Sequence, residues 1–117
     1  MSPSKDEGLS RLEYHVLLAM APGARYGYAL TEAVEEESGG VLTPRAASLY
    51  RLIARLMERG LVEEMEAPED TPPHPGRPRK YYGLTGEGRT LLADEARRLQ
   101  EAAALARKRL GLAEGSA

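Results

Sequence analysis

Four side chains that can bind a phosphate or a base edge fall within residues 48–55: Ser48, Tyr50, Arg51 and Arg55. On a helix, Ser48, Arg51 and Arg55 would project from one face, because residues three or four apart are neighbours there. A guanidinium makes paired hydrogen bonds to phosphate or guanine, and a serine hydroxyl bonds to either group. Tyr50 falls at the border of that face, where its ring can pack while its hydroxyl reaches a phosphate. This pattern predicts a surface for double-stranded DNA.

The segment around these residues has the clearest helical pattern in the chain. Thr43 and Pro44 predict its start, since a threonine hydroxyl caps a free N–H and proline is tolerated in the first turn. Gly60 predicts its end. The apolar face repeats at helical spacing: Leu49, Leu52, Ile53, Leu56 and Met57. For an isolated helix, a solvated surface is the commoner interpretation of a polar opposite face, so the neighbouring elements must decide.

A second basic cluster follows the helix. Arg77, Arg79 and Lys80 lie in a segment with prolines at positions 68, 72, 73, 75 and 78, between predicted strands at 61–66 and 80–84. This arrangement predicts a hairpin wing whose cations contact flanking phosphates or the minor groove. The alternative is a flexible, exposed turn. Acidic residues close by must point away from DNA: Glu63, Glu64, Glu66, Glu69 and Asp70.

Two helices are predicted before the first cationic cluster, one at 9–20 with Ser10 at its cap and one at 26–38. A further helix, capped by Thr85, is predicted after the wing, from 86 to about 110. The predicted fold is therefore mainly α with a small β-hairpin, a winged helix-turn-helix plus a long C-terminal dimerisation helix. We expect a DNA-binding domain at 1–84, a dimerisation helix at 85–112 and a disordered tail at 113–117.

The last helix carries an apolar stripe of alternating spacing three and four, typical of a helix that pairs with a second copy. The predicted dimerisation residues are Leu92, Leu99, Ala103, Ala106 and Leu110. The alternative is packing within the chain against Leu12, Val16 and Leu17, and both can hold in part. Four aromatic residues could line a ligand pocket near the dimer axis, but a core or edge position is favoured for each: Tyr14, His15, Tyr26 and Tyr28.

Composition excludes several classes of protein. The 117 residues suffice for one domain, and the absence of cysteine removes disulfides and thiolate chemistry. No metal or other cofactor is expected, and without paired carboxylates, a phosphate loop or a nucleophile beside a base the chain is not expected to be an enzyme. A polar start and no long apolar run favour the cytoplasm and no membrane association.

Charge leaves one alternative open. The net charge of −2 is unusual for a DNA-binding protein and favours a winged helix that binds another protein instead. The cations are nevertheless segregated, because residues 43–59 contain Arg45, Arg51, Arg55 and Arg59 against the single acid Glu58.

Four segments in order resemble the PadR family of bacterial regulators. They are residues 26–30 (YGYAL), 48–56 (SLYRLIARL), 60–63 (GLVE) and 76–89 (GRPRKYYGLTGEGR). The resemblance covers most of residues 12–92. It implies a winged-helix homodimer that represses transcription from a palindromic operator. In several members a small aromatic or drug-like effector releases the DNA, and the resemblance extends that expectation to this chain.

Overall fold

The computed structural model describes residues 8–69, 71–72 and 79–112. The predicted wing residue Arg77, the acid Asp70 and the predicted tail at 113–117 lie outside the described residues. The described residues form four helices and three strands, in this order: α1 Arg11–Met20, β1 Arg25–Tyr26, α2 Gly27–Glu37, α3 Ala46–Glu58, β2 Val62–Met65, β3 Tyr81–Leu84 and α4 Gly86–Arg109. None of the helices described here is both long and apolar enough to cross a membrane.

The start of α1 is fixed where the sequence predicts it. The Ser10 hydroxyl accepts a hydrogen bond from the Glu13 N–H at 3.1 Å, and the Glu13 carboxylate accepts one from the Ser10 N–H at 2.8 Å. This reciprocal pair satisfies two backbone donors that the first helical turn leaves free. The helix then buries Val16, Leu17 and Met20 in the core that it shares with α2 and α3.

Helix α3 ends as predicted but begins later than predicted. Gly60 has a φ of 77°, and Leu61 donates its N–H to the Leu56 carbonyl, which closes the helix through a left-handed glycine. Thr43 is not the cap. The residue that precedes the helix is instead Arg45, whose backbone is extended and whose side chain makes no cap bond.

The sheet has one strand more than the predicted hairpin. Its order is β1-β3-β2, and both neighbours pair antiparallel to β3. Strand β1 pairs Tyr26 with Tyr81 and Arg25 with Tyr82. A strand of two residues is too short to show an alternating pattern, so the sequence could not indicate it. Its consequence is that the start of α2 is joined directly to the base of the wing.

Helix α4 is anchored at its first turns. The Thr85 hydroxyl accepts a hydrogen bond from the Gly88 N–H at 3.0 Å and donates one to the Gly60 carbonyl at 2.6 Å. Gly88 is buried against the backbone carbonyl of Leu61, where a Cβ atom would overlap the carbonyl oxygen. Leu92 is also buried in the core. The start of α4 is therefore held against the turn that ends α3.

Candidate nucleic-acid interface

Helix α3 separates its apolar and cationic residues cleanly. Its buried side is formed by Leu49, Leu52, Ile53 and Leu56. Ser48, Arg51 and Arg55 are all exposed on the remaining surface. Within the described part of the chain, neither guanidinium has a hydrogen-bond or ion-pair partner. The structure therefore brings the three predicted base-contacting residues together on one open face.

Met57 departs from the predicted pattern, because it is 38% exposed rather than buried. Position 57 follows Leu56 and lies at the edge of the apolar stripe, where the neighbouring elements do not cover it. Four apolar residues, not five, therefore hold α3 on the core.

Tyr50 connects α3 to α2. Its side chain is 48% exposed, and its hydroxyl lies against Gly27, the first residue of α2. Any side chain at position 27 would overlap that hydroxyl, so the glycine is required for the contact. The ring packs at the border of the helix as the sequence predicts, and the hydroxyl lies where α2 and α3 meet.

The buried phenol of Tyr82 lies behind this junction. Burial raises the pKa of Tyr82 above its usual value, and the nearby Tyr50 and Glu64 raise it further. Glu64 lies directly opposite Tyr82 in the sheet, so the two side chains share one sheet face. Glu63 pairs with Gly83 and points to the other face. The acids of β2 therefore do not all turn away, since Glu64 is on the side of Tyr50.

At the base of the wing, Arg79 and Lys80 are exposed. The guanidinium carbon of Arg79 lies 4.0 Å from the centroid of the Tyr26 ring, in a cation–π contact. The same ring meets the Tyr81 ring edge-on, with centroids 5.7 Å apart and an interplanar angle of 71°. The sequence favours a core or edge position for Tyr26 and does not predict its contact with Arg79.

Arg59 does not belong to the cationic face. It forms an ion pair with Glu13 of α1 at 3.6 Å and donates a hydrogen bond to the Gly8 carbonyl at 3.3 Å. Its position at the end of α3 places it beside α1 instead of beside Arg51. Of the four arginines at 43–59, Arg59 therefore connects α3 to α1 and does not contribute to the cationic face.

The predicted dimerisation stripe divides into two parts. Leu92 packs into the core of its own chain together with Val16 and Leu17, which is the intramolecular alternative for that residue. The remaining predicted residues are all exposed: Leu99, Ala103, Ala106 and Leu110. The surface open to a second copy therefore begins beyond Leu92.

An open groove with a cavity volume of about 500 Å³ lies beside the start of α4. Its lining combines apolar and acidic side chains: Leu61, Gly86, Glu87, Thr90, Leu91 and Asp94. None of the four aromatic residues weighed as ligand contacts is among these. Tyr14 and His15 instead pack edge-on against each other, with ring centroids 5.8 Å apart.

Known proteins resemble this chain in sequence and in fold. An uncharacterized 37.1 kDa protein in transposon TN4556 of Streptomyces fradiae is 42% identical over 81 residues, which are 69% of this chain and 21% of that protein. This chain thus spans about a fifth of the relative's length. The structure of Bacillus subtilis PadR in complex with operator DNA matches at 25% identity and a TM-score of 0.56, covering 69% of this chain and 44% of that chain.

A PadR-like transcriptional regulator from Bacillus cereus strain ATCC 14579 has the same fold, with a TM-score of 0.69, 22% identity and coverage of 90% of this chain and 93% of that one. The model of the transcriptional regulator PadR-like family matches residues 16–94. The match runs from α1 through the sheet to the anchored turns of α4 and includes the whole cationic face of α3. The chain therefore belongs to the PadR-like family of transcriptional regulators.

Proposed function

We propose that this protein is a sequence-specific regulator that binds double-stranded DNA with α3 in the major groove. The observation that carries the proposal is the exposed face of α3, where Ser48, Arg51 and Arg55 have free hydrogen-bonding groups while the opposite side is buried. A helix of this shape fits the major groove, and arginine is the side chain best suited to guanine there. The Bacillus subtilis relative named above was crystallised with its operator DNA.

The residues divide by the part of DNA that each would contact. Ser48, Arg51 and Arg55 are assigned to base edges, whereas Tyr50 is assigned to phosphate. The wing cations are assigned to phosphate as well: Arg77, Arg79 and Lys80. Phosphate contacts fix the position of the protein on the duplex and base contacts provide the sequence preference. The net charge of −2 does not oppose this arrangement, because the local field of the exposed cations governs the contact.

We propose further that two copies pair through the exposed part of α4. Leu99, Ala103, Ala106 and Leu110 form a stripe that a single chain leaves open. Pairing buries that stripe and places two copies of α3 on successive turns of a palindromic operator. In this arrangement residues 1–84 bind DNA and residues 85–112 join the copies.

Repression follows if the bound dimer occupies DNA that transcription needs. A small aromatic or drug-like effector would release the DNA only by preferring the spacing of the two copies that does not fit the operator.

The test compares Arg51→Ala with Arg97→Ala in the titration of a selected operator duplex. Arg97 is also an exposed arginine, but it lies on α4, where it pairs with Asp94. We expect Arg51→Ala to weaken specific binding by about 1–3 kcal/mol and to leave folding intact, while Arg97→Ala binds like the wild type. Equal affinity of the Arg51 variant and the wild type would remove α3 from the base-contacting surface.

The acidic net charge and the position of Glu64 favour one second candidate, a winged helix that binds a protein partner. Binding of random duplex DNA across a salt series separates the two functions. A DNA-binding surface loses affinity steeply with salt, because its cations release the counterions of the phosphates. The absence of binding to any duplex at low salt would favour the protein partner.

A further inference from the structure

We propose that Tyr26 is a positioning residue of the DNA interface, which holds the wing arginine Arg79 in the orientation that meets a phosphate. This inference rests on the proposed function. The observation behind it is the stacking of the Arg79 guanidinium on the Tyr26 ring at 4.0 Å. Tyr26 does not itself contact DNA and acts only through Arg79.

The sheet explains why the two side chains meet. Tyr26 of β1 lies opposite Tyr81 of β3. Arg79 lies two residues before Tyr81, just outside β3, and from there its guanidinium reaches the Tyr26 ring. The Tyr26 ring thus contacts both the Tyr81 ring and the guanidinium of Arg79. The ring has a fixed orientation before any ligand arrives.

Stacking leaves the arginine able to bind phosphate. The ring attracts the flat face of the guanidinium, whereas the N–H donors of Arg79 point outward in its plane. A stacked arginine has already given up much of its side-chain freedom, so less entropy is lost when a phosphate binds. Tyr26 therefore prepares Arg79 for contact without competing for its donors.

The position of Tyr26 also couples the wing to the helix that contacts bases. Tyr26 is the residue that precedes α2, and the next residue, Gly27, receives the hydroxyl of Tyr50 from α3. Two adjacent residues thus contact the wing arginine and the base-contacting helix. We infer that the distance between phosphate and base contacts is fixed through this junction.

The experiment is a double-mutant cycle in operator binding, using Tyr26→Leu, Arg79→Ala and the combined variant in the full chain, with Tyr26→Phe as the matched control. Phenylalanine keeps the ring face and leucine removes it. We expect Tyr26→Leu to weaken binding about two- to fivefold, the range that an exposed cation–π contact provides. Tyr26→Phe should bind like the wild type. In the Arg79→Ala background, Tyr26→Leu should have no further effect.

A second readout needs no DNA. The side-chain protons of Arg79 lie over a ring face, so their NMR signals should be shifted upfield in the wild type and in Tyr26→Phe. In Tyr26→Leu that shift should be lost while the amide spectrum of α3 is retained. This measurement separates a lost contact from a misfolded chain.

Two results overturn the inference while leaving the proposed function standing. In the first, Tyr26→Leu binds the operator with the affinity of the wild type, although Arg79→Ala weakens binding. The other is an equal loss from Tyr26→Leu with and without Arg79, which would show that Tyr26 acts on α2 or α3 alone. A wild-type chain that binds no duplex removes the proposed function, and this inference falls with it.

Discussion

Replacing Leu99 by glutamate should separate the two copies of the proposed dimer, whereas replacing Leu105 by glutamate should leave them joined. The two leucines are matched in exposure, at 49% and 44%. They lie six residues apart on α4, so they point about 120° away from each other. Only Leu99 falls on the stripe that continues through Ala103, Ala106 and Leu110.

The expected change in the dimer Kd follows from the apolar surface of Leu99 that a second copy can still bury. Complete burial of a leucine contributes about 1.5–3 kcal/mol, and half of Leu99 is still exposed in the single chain, so its burial between copies contributes about 1 kcal/mol. Two copies per dimer give about 2 kcal/mol, which is roughly a thirtyfold change in the dimer Kd. Glutamate also places a charge in the interface, so Leu99→Glu should weaken dimerisation more than removal of the leucine side chain alone would.

Sedimentation equilibrium over a range of protein concentrations measures the dimer Kd directly. We expect monomers for Leu99→Glu at concentrations where the wild type and Leu105→Glu are dimers. The double variant at Leu99 and Leu110 should bind a single half-site weakly. Dimers of Leu99→Glu at every concentration, or equal dissociation of both single variants, would place the interface elsewhere.

Three further predictions concern packing and charge. Gly88→Ala should destabilise the chain by about 1–3 kcal/mol in thermal or urea unfolding, because the backbone carbonyl above it cannot move aside. Gly86→Ala, in open space on the same turn, should be neutral or stabilising; equal effects would contradict the close packing. Glu64→Gln should increase affinity for random duplex DNA by removing repulsion of phosphate, whereas Glu63→Gln on the opposite sheet face should not. Because the folded pKa of Tyr82 is raised, stability should fall as the pH rises above the unfolded value of about 10, and Tyr82→Phe should reduce that fall in alkaline urea unfolding.

Local patterns in the sequence predicted most of the fold. The cap at Ser10, the left-handed Gly60 and the cap at Thr85 all lie where predicted, because each depends on neighbours within a few residues. The apolar stripe of α3 was likewise visible as a repeat. The sequence predicts the start of α3 two residues too early, since the residue that precedes the helix is Arg45, which makes no side-chain cap bond that a sequence pattern could reveal.

Contacts between distant segments account for what the sequence did not indicate. Strand β1 exists only because β3 supplies partners more than fifty residues away. The same distance separates Tyr26 from Arg79. By its spacing Arg59 belongs with the other arginines of 43–59, but its ion pair with Glu13 places it beside α1. Composition and spacing predict which face a side chain occupies on its own helix, but not which other element meets that face.

In the proposed function, two copies of α3 bind DNA in a sequence-dependent way. It is tested most directly by selecting duplexes from a random library with the purified chain and sequencing those retained. We expect enrichment of a two-fold symmetric sequence with half-sites about one helical turn apart, and loss of that enrichment for Arg51→Ala. A retained pool with no sequence in common, or an identical sequence selected by Arg51→Ala, would contradict the claim.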